Sequence, residues 1–415
     1  MRTRTRTLSP DSPVAPSWST PREAERKLPL LALLALATAV FITSLTETLP
    51  AGVLPAMSAD LGVSESAMGQ SVTIYAIGTA LTAIPLTAAT AAWRRKRLLL
   101  AAMAAFAVAN TVTALSADYL LTMAARFVAG VAAGLAWALL AGYARRLAPP
   151  GLQGRAIAVV MTGIPVALSL GVPAGTFLGE VLGWWVAFLL MTGLAVGVIA
   201  WIAALVPDQP GERPDGGRAP VIRALAVPGV TPVLFVTLVF VLAHTVLYTY
   251  IATLLDHLGM GDATDIVLLV FGGASLVSIW VVGAHIHRRA RVLMLASALF
   301  VAAGAALLAV VSVAPGASWT EALVYGAVAL WGLGWGGAPT LLQTAAGEAG
   351  GEAADAAQAM LVTLWNAAMA AGGVVGGVLL GLFGSASFSW SVLVLLMPVL
   401  AVVIAARTHG FPVRR

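Results

Sequence analysis

Residues 28–57 read LPLLALLALATAVFITSLTETLPAGVLPAM, an almost wholly apolar stretch with one carboxylate, Glu47, in its interior. A charged side chain near the centre of a bilayer costs about 2.5–3.5 kcal/mol on insertion scales, so it is rarely kept there without a partner or a task. Thr43 and other hydroxyls precede two helix-bending prolines, Pro50 and Pro55, which is typical of a helix lining a polar cavity. We predict that Glu47 and Thr43 face such a cavity. A structural polar contact is the alternative for Glu47.

The composition of the whole chain places it in a membrane. Of the 415 residues, 60% are hydrophobic and 10% are charged, whereas soluble domains are about 25% charged. The chain has no cysteine, which excludes disulfides, thiolate metal sites and a cysteine nucleophile. The sequence therefore predicts an all-α integral membrane protein.

The apolar runs predict twelve spans, since each crossing needs about 20 mostly apolar residues. The predicted spans are 28–57, 66–92, 97–117, 120–144, 155–180, 184–206, 229–256, 264–286, 291–313, 320–346, 355–383 and 387–407. We expect a disordered cytoplasmic tail at 1–27, six-helix bundles at 28–206 and 229–407, a cytoplasmic linker at 207–228 and a tail at 408–415.

Charge alternates between successive connections. Basic residues, among them Arg94, Arg95, Arg288 and Arg289, occupy every other connection, and the intervening ones hold acidic residues instead. This is the positive-inside pattern, which places both termini in the cytoplasm and explains the net charge of +5 without nucleic acid. The richness in Ala and Gly is typical of a GC-rich bacterium, so we expect the bacterial cytoplasmic membrane.

The two predicted bundles have matching features. Glu47 and His244, Arg94 and Arg288, and the glycines Gly175 and Gly377 are separated by nearly the same number of residues. Six plus six spans with the same orientation form a parallel repeat, whose halves rock about a central site. We therefore predict a duplicated fold with alternating access.

Arg126 is the one lysine or arginine in the interior of a predicted span, since the others lie in connections or at span ends. At 1.5 Å per residue it lies about 12 Å from the outer end of its helix, and Glu47 lies about 15 Å from the outer end of its own. The matching depths predict that Arg126 faces Glu47 and sets the proton affinity of the carboxylate. A structural tie to backbone carbonyls is the alternative.

Polar side chains of the second bundle are candidates for a substrate cavity. His244 and Tyr248 share a helix face, and their rings can stack on and hydrogen-bond a small solute. A satisfied structural histidine is nearly as reasonable. The predicted cavity residues, besides Thr43, are His244, Tyr248, Tyr250, Gln343 and Asn366.

These motifs resemble the major facilitator superfamily, its drug/proton antiporter branch and, within that, bacterial sugar-efflux and arabinose-efflux transporters. The resemblance covers nearly all of 28–407. RFVAGVAAG (126–134) is similar to the fourth-span motif, whose arginine is implicated in proton coupling. GVPAGTFLGEVLGWW (171–185) resembles the fifth-span antiporter motif typical of exporters. The residues matching the antiporter motif are Gly171, Pro173, Gly175 and Gly179.

The chain also departs from the family pattern. TAATAAWRRKR (87–97) keeps the bases of the second loop motif but not its aspartate and glycine, and in GAHIHRRAR (283–291) His287 replaces an expected acid. The resemblance therefore implies inner-gate basic clusters at Arg94, Arg95, Arg288 and Arg289, whereas the acidic residues of the family's usual charge relay are absent from these two loops.

The sequence predicts a monomeric, proton-coupled exporter of a drug or sugar-like small molecule. Its partners would be the solute, protons and the bilayer, with no cofactor and no metal. A facilitator or importer on the same fold is the main alternative. A membrane-embedded enzyme is disfavoured because the spans lack a nucleophile with a base or a metal-ligand spacing such as HExxH.

Overall fold

All regular elements that the computed structural model describes are helices, which confirms the predicted all-α class. The described ranges are 28–90, 92–149, 152–211, 225–313 and 319–411. The predicted tail at 1–27, residues 212–224 of the predicted linker and the last four residues lie outside them.

The first half of the chain is a succession of long and short helices. They are α1 (Leu30–Gly52), α2 (Leu54–Asp60), α3 (Glu65–Ala89), α4 (Arg95–Leu115), α5 (Tyr119–Leu147), α6 (Gln153–Met161), α7 (Gly163–Val166), α8 (Val172–Leu182) and α9 (Trp184–Leu205). A π-helical turn, Ala167–Gly171, joins α7 to α8.

The second half of the chain is also a succession of long and short helices. Its helices are α10 (Val230–Thr249), α11 (Ile251–His257), α12 (Thr264–Val313), α13 (Thr320–Trp335), α14 (Ala338–Gly350), α15 (Ala354–Phe383) and α16 (Ser387–Ala405). Helix α12 is interrupted at Arg289, whose φ of −132° and ψ of 24° are not helical, so it forms two arms.

Local chemistry sets several helix boundaries. Asp118 caps α5, because its Oδ1 accepts a hydrogen bond of 2.7 Å from the Leu121 N–H. Gly183 separates α8 from α9 with a φ of 97°, in the left-handed region that favours glycine. These two turns are tight enough to let the chain reverse directly into the next helix.

Within the described ranges, ten helical segments are long and apolar enough to cross a membrane. The predicted spans 66–92 and 320–346 are not among the ten. Helix α3 covers most of the first. The second is divided at Gly336 and Gly337 into α13 and α14, which have 16 and 13 residues and are each short for a crossing.

The connections lie at two opposite ends of the bundle. At the acidic end, Trp184 Nε1 donates to Asp60 Oδ2 over 2.7 Å. At the basic end, Arg94 Nε lies 2.5 Å from Asp208 Oδ2. The acidic end is defined by Asp60, Glu65, Asp118, Glu180, Asp256, Asp262 and Asp265, and the basic end by Arg94, Arg95, Arg145, Arg146, Arg288, Arg289 and Arg291.

Small residues let neighbouring helices approach closely where α3 crosses α5. A Cβ at Gly130 of α5 would lie 2.1 Å from the Tyr75 carbonyl oxygen, and one at Gly78 of α3 would lie 2.6 Å from the Phe127 oxygen. Backbones this close pack through van der Waals contact, the main source of helix association in lipid. The crossing holds Tyr75 and Arg126 in the same layer of the bundle.

Candidate functional site

Arg126 lies in the interior of the first half and reaches α1. Its side chain has no exposed surface, and its Nη1 donates a 2.6 Å hydrogen bond to the Thr46 carbonyl oxygen. Asn110 of α4 donates to the Thr46 hydroxyl over 3.2 Å, so Thr46 is held from two neighbouring helices. The α1 turn that carries Glu47 is therefore fixed by α4 and α5.

The guanidinium of Arg126 has a second partner in α3. Its Cζ lies 4.9 Å from the centroid of the Tyr75 ring, a cation–π contact, and the Tyr75 hydroxyl donates to the Thr43 carbonyl oxygen over 3.3 Å. Two guanidinium nitrogens, Nε and Nη2, are buried without a hydrogen-bond partner among the described residues. This buried cation therefore retains capacity for an anionic or polar group.

Glu47 lies next to this cation without forming a direct ion pair. The Glu47 side chain is partly exposed, and the charge of Arg126 acts on it through space. The prediction that the two residues occupy the same depth agrees with the hydrogen bond from Arg126 to the residue preceding Glu47. A carboxylate beside a cation, with partial access, can exchange a proton.

Tyr248 brings the second half to this site. Its hydroxyl lies next to the Thr48 side chain and within the electrostatic reach of Glu47. Tyr248 also contacts the His244 ring, with ring centroids 5.2 Å apart. The predicted cavity residues His244 and Tyr248 are thus close to the predicted proton-coupling residue.

His244 lies inside a cluster of aromatic rings from three helices. Trp331 Nε1 donates to His244 Nδ1 over 3.1 Å, and the Trp335 ring stacks on the imidazole with centroids 3.4 Å apart and an angle of 4°. Phe271 closes the cluster, 6.0 Å from His244 and 4.6 Å from Trp331. These rings pack closely on one another, and the cluster offers few polar groups.

Tyr250 lies apart from the other predicted cavity residues. Its hydroxyl donates to the Gly373 carbonyl oxygen over 2.9 Å, and its ring lies between α3 and α15. A Cβ at Gly69 would lie 2.1 Å from the Tyr250 hydroxyl oxygen, and one at Gly376 would lie 2.6 Å from Cε2. The ring fills the contact between the two halves near the acidic end.

The remaining predicted cavity residues make local contacts. The Thr43 hydroxyl donates to the Ala39 carbonyl oxygen over 2.9 Å, and Asn366 Nδ2 donates to the Val362 oxygen over 2.9 Å. Gln343 is exposed. The structure does not bring Thr43, Asn366 and Gln343 into contact with one another.

The glycines of the predicted antiporter motif pack against α1. A Cβ at Gly175 would lie 2.6 Å from Leu49 Cδ1, and one at Gly179 would lie 2.7 Å from Val53 Cγ1. Gly171 is similarly close to Phe41, at 3.0 Å. Pro173 is buried in the first turn of α8, directly after the π-helical turn that bends this pass.

The predicted basic clusters lie at one end of the bundle. Arg94 pairs with Asp208, and the Arg95 N–H donates to the Gln209 carbonyl oxygen over 2.9 Å. Arg288 and Arg289 are exposed at the interruption of α12. The first cluster therefore ties α4 to the start of the predicted linker.

Sequence reasoning missed Tyr75, Asn110, Trp331 and Trp335. A tyrosine or asparagine in an apolar helix gives no signal of which neighbour it faces. Trp331 and Trp335 were detectable, because residues four apart on a helix share one face, as His244 and Tyr248 do.

Known proteins resemble this chain over most of its length. The model of the Major Facilitator Superfamily matches residues 36–360. A chloramphenicol efflux pump of Mycobacterium tuberculosis (strain ATCC 25618 / H37Rv) is 32% identical over 368 residues, 87% of each chain. A purine ribonucleoside efflux pump of Escherichia coli O6:K15:H31 (strain 536 / UPEC) is 29% identical over 86% of this chain and 89% of the pump.

A solved structure has the same fold. The crystal structure of a nucleoside transporter superposes with a TM-score of 0.72 at 12% identity, over 91% of this chain and 99% of the transporter. At that identity the likeness concerns the fold alone. Together with the family match, it confirms the resemblance drawn from the motifs. The chain belongs to the Major Facilitator Superfamily, and it is a multi-pass membrane transporter rather than an enzyme.

Proposed function

We propose that the protein is a proton-coupled exporter of a small molecule in the bacterial cytoplasmic membrane. Glu47 would exchange a proton for cargo, and Arg126 would set the proton affinity of Glu47. The chain would work as a monomer with both termini in the cytoplasm, driven by the proton gradient without a cofactor. The efflux named for two relatives supports the direction of transport.

One observation carries the proposal: Glu47 is a partly exposed carboxylate that feels the charge of the buried Arg126 and lies near Tyr248 of the other half. A proton bound to Glu47 changes the charge at the point where the halves meet. Coupling requires such a link between protonation and the relative position of the halves.

Twelve spans in two parallel repeats fit this role. Helix α3 and the pair α13 and α14 would add two crossings to the ten apolar segments, so that charged connections alternate between the acidic and basic ends. Interruption of a span at Gly336 and Gly337 is compatible with a crossing that lines a cavity, where irregular backbone is tolerated.

Contacts between the halves support alternating access. Ser66 donates to the Gly377 carbonyl oxygen over 2.8 Å, Gln70 to the Gly373 oxygen over 3.2 Å, and Thr73 to the Ala370 oxygen over 3.2 Å. Thr253 and Glu65 also hydrogen-bond at the acidic end. We assign this state to closure at the acidic end, with Tyr250 in the seal.

His244, Tyr248 and Asn366 would line the cargo cavity. The aromatic rings around His244 support a cargo that contains an aromatic ring. Chloramphenicol and purine ribonucleosides, named for the two relatives, both contain one. Hydroxyl groups of a sugar-like part would find partners in Thr48 and Tyr248.

Export in proteoliposomes tests the proposal. Glu47→Gln should abolish uphill transport driven by an imposed pH gradient, because the amide cannot carry the proton. Glu321→Gln is the matched control, since Glu321 is an exposed carboxylate in the first turn of α13. Undiminished uphill transport by Glu47→Gln would exclude the assignment. Equilibration of cargo without accumulation by the unaltered protein would indicate a facilitator.

A further inference from the structure

We infer that Trp331 is a positioning residue that holds His244 as a neutral imidazole with its proton on Nε2, presented as a hydrogen-bond donor to the cargo. The inference rests on the proposed function for the presence of cargo at His244. The state of the ring itself follows from contacts within the protein, so it can be tested separately.

The hydrogen bond between Trp331 and His244 has one possible direction. The indole nitrogen of tryptophan donates a hydrogen bond and cannot accept one. Since Trp331 Nε1 lies 3.1 Å from His244 Nδ1, that Nδ1 must carry a lone pair and no hydrogen. A neutral imidazole with Nδ1 unprotonated carries its hydrogen on Nε2. An imidazolium would place two N–H groups against each other at this contact.

The His244 ring is surrounded by uncharged aromatic side chains. Trp335 covers one face of His244 at 3.4 Å, and Phe271 and Tyr248 stack at 6.0 and 5.2 Å. Tyr248 is the titratable side chain in ring contact with His244, and Glu47 acts on that tyrosine. No carboxylate of the described chain forms an ion pair with His244. A cation here would lose water without gaining a counter-ion.

The other ring nitrogen of His244, Nε2, is available for cargo. Among the described residues, Nε2 of His244 has no hydrogen-bond partner, and the residue keeps 9% of its surface exposed. The free donor is therefore available to a carbonyl oxygen, ring nitrogen or hydroxyl oxygen of an uncharged solute. His244 would therefore favour cargo that carries a hydrogen-bond acceptor. Glu47 would remain the residue that carries the proton.

Nitrogen-15 NMR of the full-length chain in nanodiscs tests this assignment without any cargo. The chain has 5 histidines, so the His244 signal is identified by its loss in His244→Gln. We expect an unprotonated Nδ1 and a protonated Nε2 throughout the range of about pH 5 to 8, in which an ordinary histidine titrates. A protonated Nδ1, or titration of His244 in this range, would overturn the inference.

Trp331→Phe tests whether the hydrogen bond from Trp331 fixes the tautomer of His244. This change keeps a ring but removes the donor, so His244 should become a mixture of tautomers or titrate. Trp335→Phe, which keeps the Trp331 hydrogen bond, should retain the unaltered pattern. If Trp331→Phe leaves the spectrum unchanged, Trp331 does not position the ring. If that variant fails to fold, the titration of the unaltered protein still decides the state of His244.

Cargo binding gives the second readout. With chloramphenicol and adenosine as probes, Trp331→Phe should weaken binding roughly five-fold, the equivalent of one net hydrogen bond. Equal affinity in Trp331→Phe and the unaltered protein would contradict the positioning role. Because the NMR pattern needs no transport, loss of the proposed export function and loss of this inference give different results.

Discussion

The guanidinium of Arg126 lies over the ring of Tyr75, with Cζ 4.9 Å from the ring centroid. Its other direct partner is the Thr46 carbonyl oxygen, and both partners stay uncharged near neutral pH. Arg126 therefore remains stabilised whether Glu47 is charged or protonated. An arginine whose sole partner was Glu47 would become an uncompensated buried charge each time the carboxylate gained a proton. This arrangement suits a carboxylate that must cycle.

Substitution of Tyr75 tests this arrangement. Tyr75→Leu removes both the aromatic face and the hydroxyl, so it should destabilise the protein by about 2 kcal/mol more than Tyr75→Phe, the value of a desolvated cation–π contact. Tyr75→Phe keeps the face and loses the hydrogen bond to Thr43, so its loss should be about 1 kcal/mol. Thermal unfolding in detergent measures both. Equal losses would show that the ring face does not stabilise Arg126.

Exchange of Arg126 for lysine separates charge from geometry. Lysine keeps the positive charge, but its compact ammonium cannot span the Thr46 oxygen and the Tyr75 ring as the planar guanidinium does. We expect Arg126→Lys to slow pH-driven export at least about ten-fold, a cost of roughly 1.4 kcal/mol. Arg94→Lys is the control, because the Arg94 side chain is 59% exposed in its pair with Asp208. Normal export by Arg126→Lys would show that charge alone suffices.

Close approach of α3 and α5 predicts a sharp difference between two glycines of one helix. Gly130→Ala would push a methyl group to within 2.1 Å of the Tyr75 carbonyl oxygen, whereas a Cβ at Gly142 meets no heavy atom within 4 Å. Backbone cannot yield as a side chain does, so Gly130→Ala should cost about 1–3 kcal/mol. Gly142→Ala should be neutral or slightly stabilising. Similar melting temperatures for the two variants would contradict this packing.

The sequence predicts the helical class and the shared depth of Glu47 and Arg126, because polarity and rise per residue are local properties. The partners of Arg126 depend on how helices cross, and no periodicity reveals that Tyr75 faces it. The sequence pattern predicts one cavity for Tyr248 and Tyr250, yet residues two apart on a helix do not share a face. Tyr250 also follows the end of α10 at Thr249. It therefore points to the contact between the halves.

The Tyr250 ring lies in a slot between Gly69 and Gly376. The tight fit of this slot predicts how the acidic end can be opened. Gly69→Ala would place a methyl group 2.1 Å from the Tyr250 hydroxyl oxygen, and the ring is held on its other side by Gly376. The ring must leave the slot and lose its 2.9 Å hydrogen bond to Gly373. We therefore expect Gly69→Ala to shift the protein toward the state open at the acidic end.

Thiol labelling measures that shift, and the chain has no cysteine of its own to interfere. A single cysteine at Thr73, a buried position of α3, should react with an impermeant maleimide about ten-fold faster in Gly69→Ala, the equivalent of about 1.4 kcal/mol. Gly381→Ala is the control, because a Cβ there meets no heavy atom within 4 Å. If both variants label at the unaltered rate, Tyr250 does not seal the acidic end. Faster labelling in Gly69→Ala alone would place the closure at this ring.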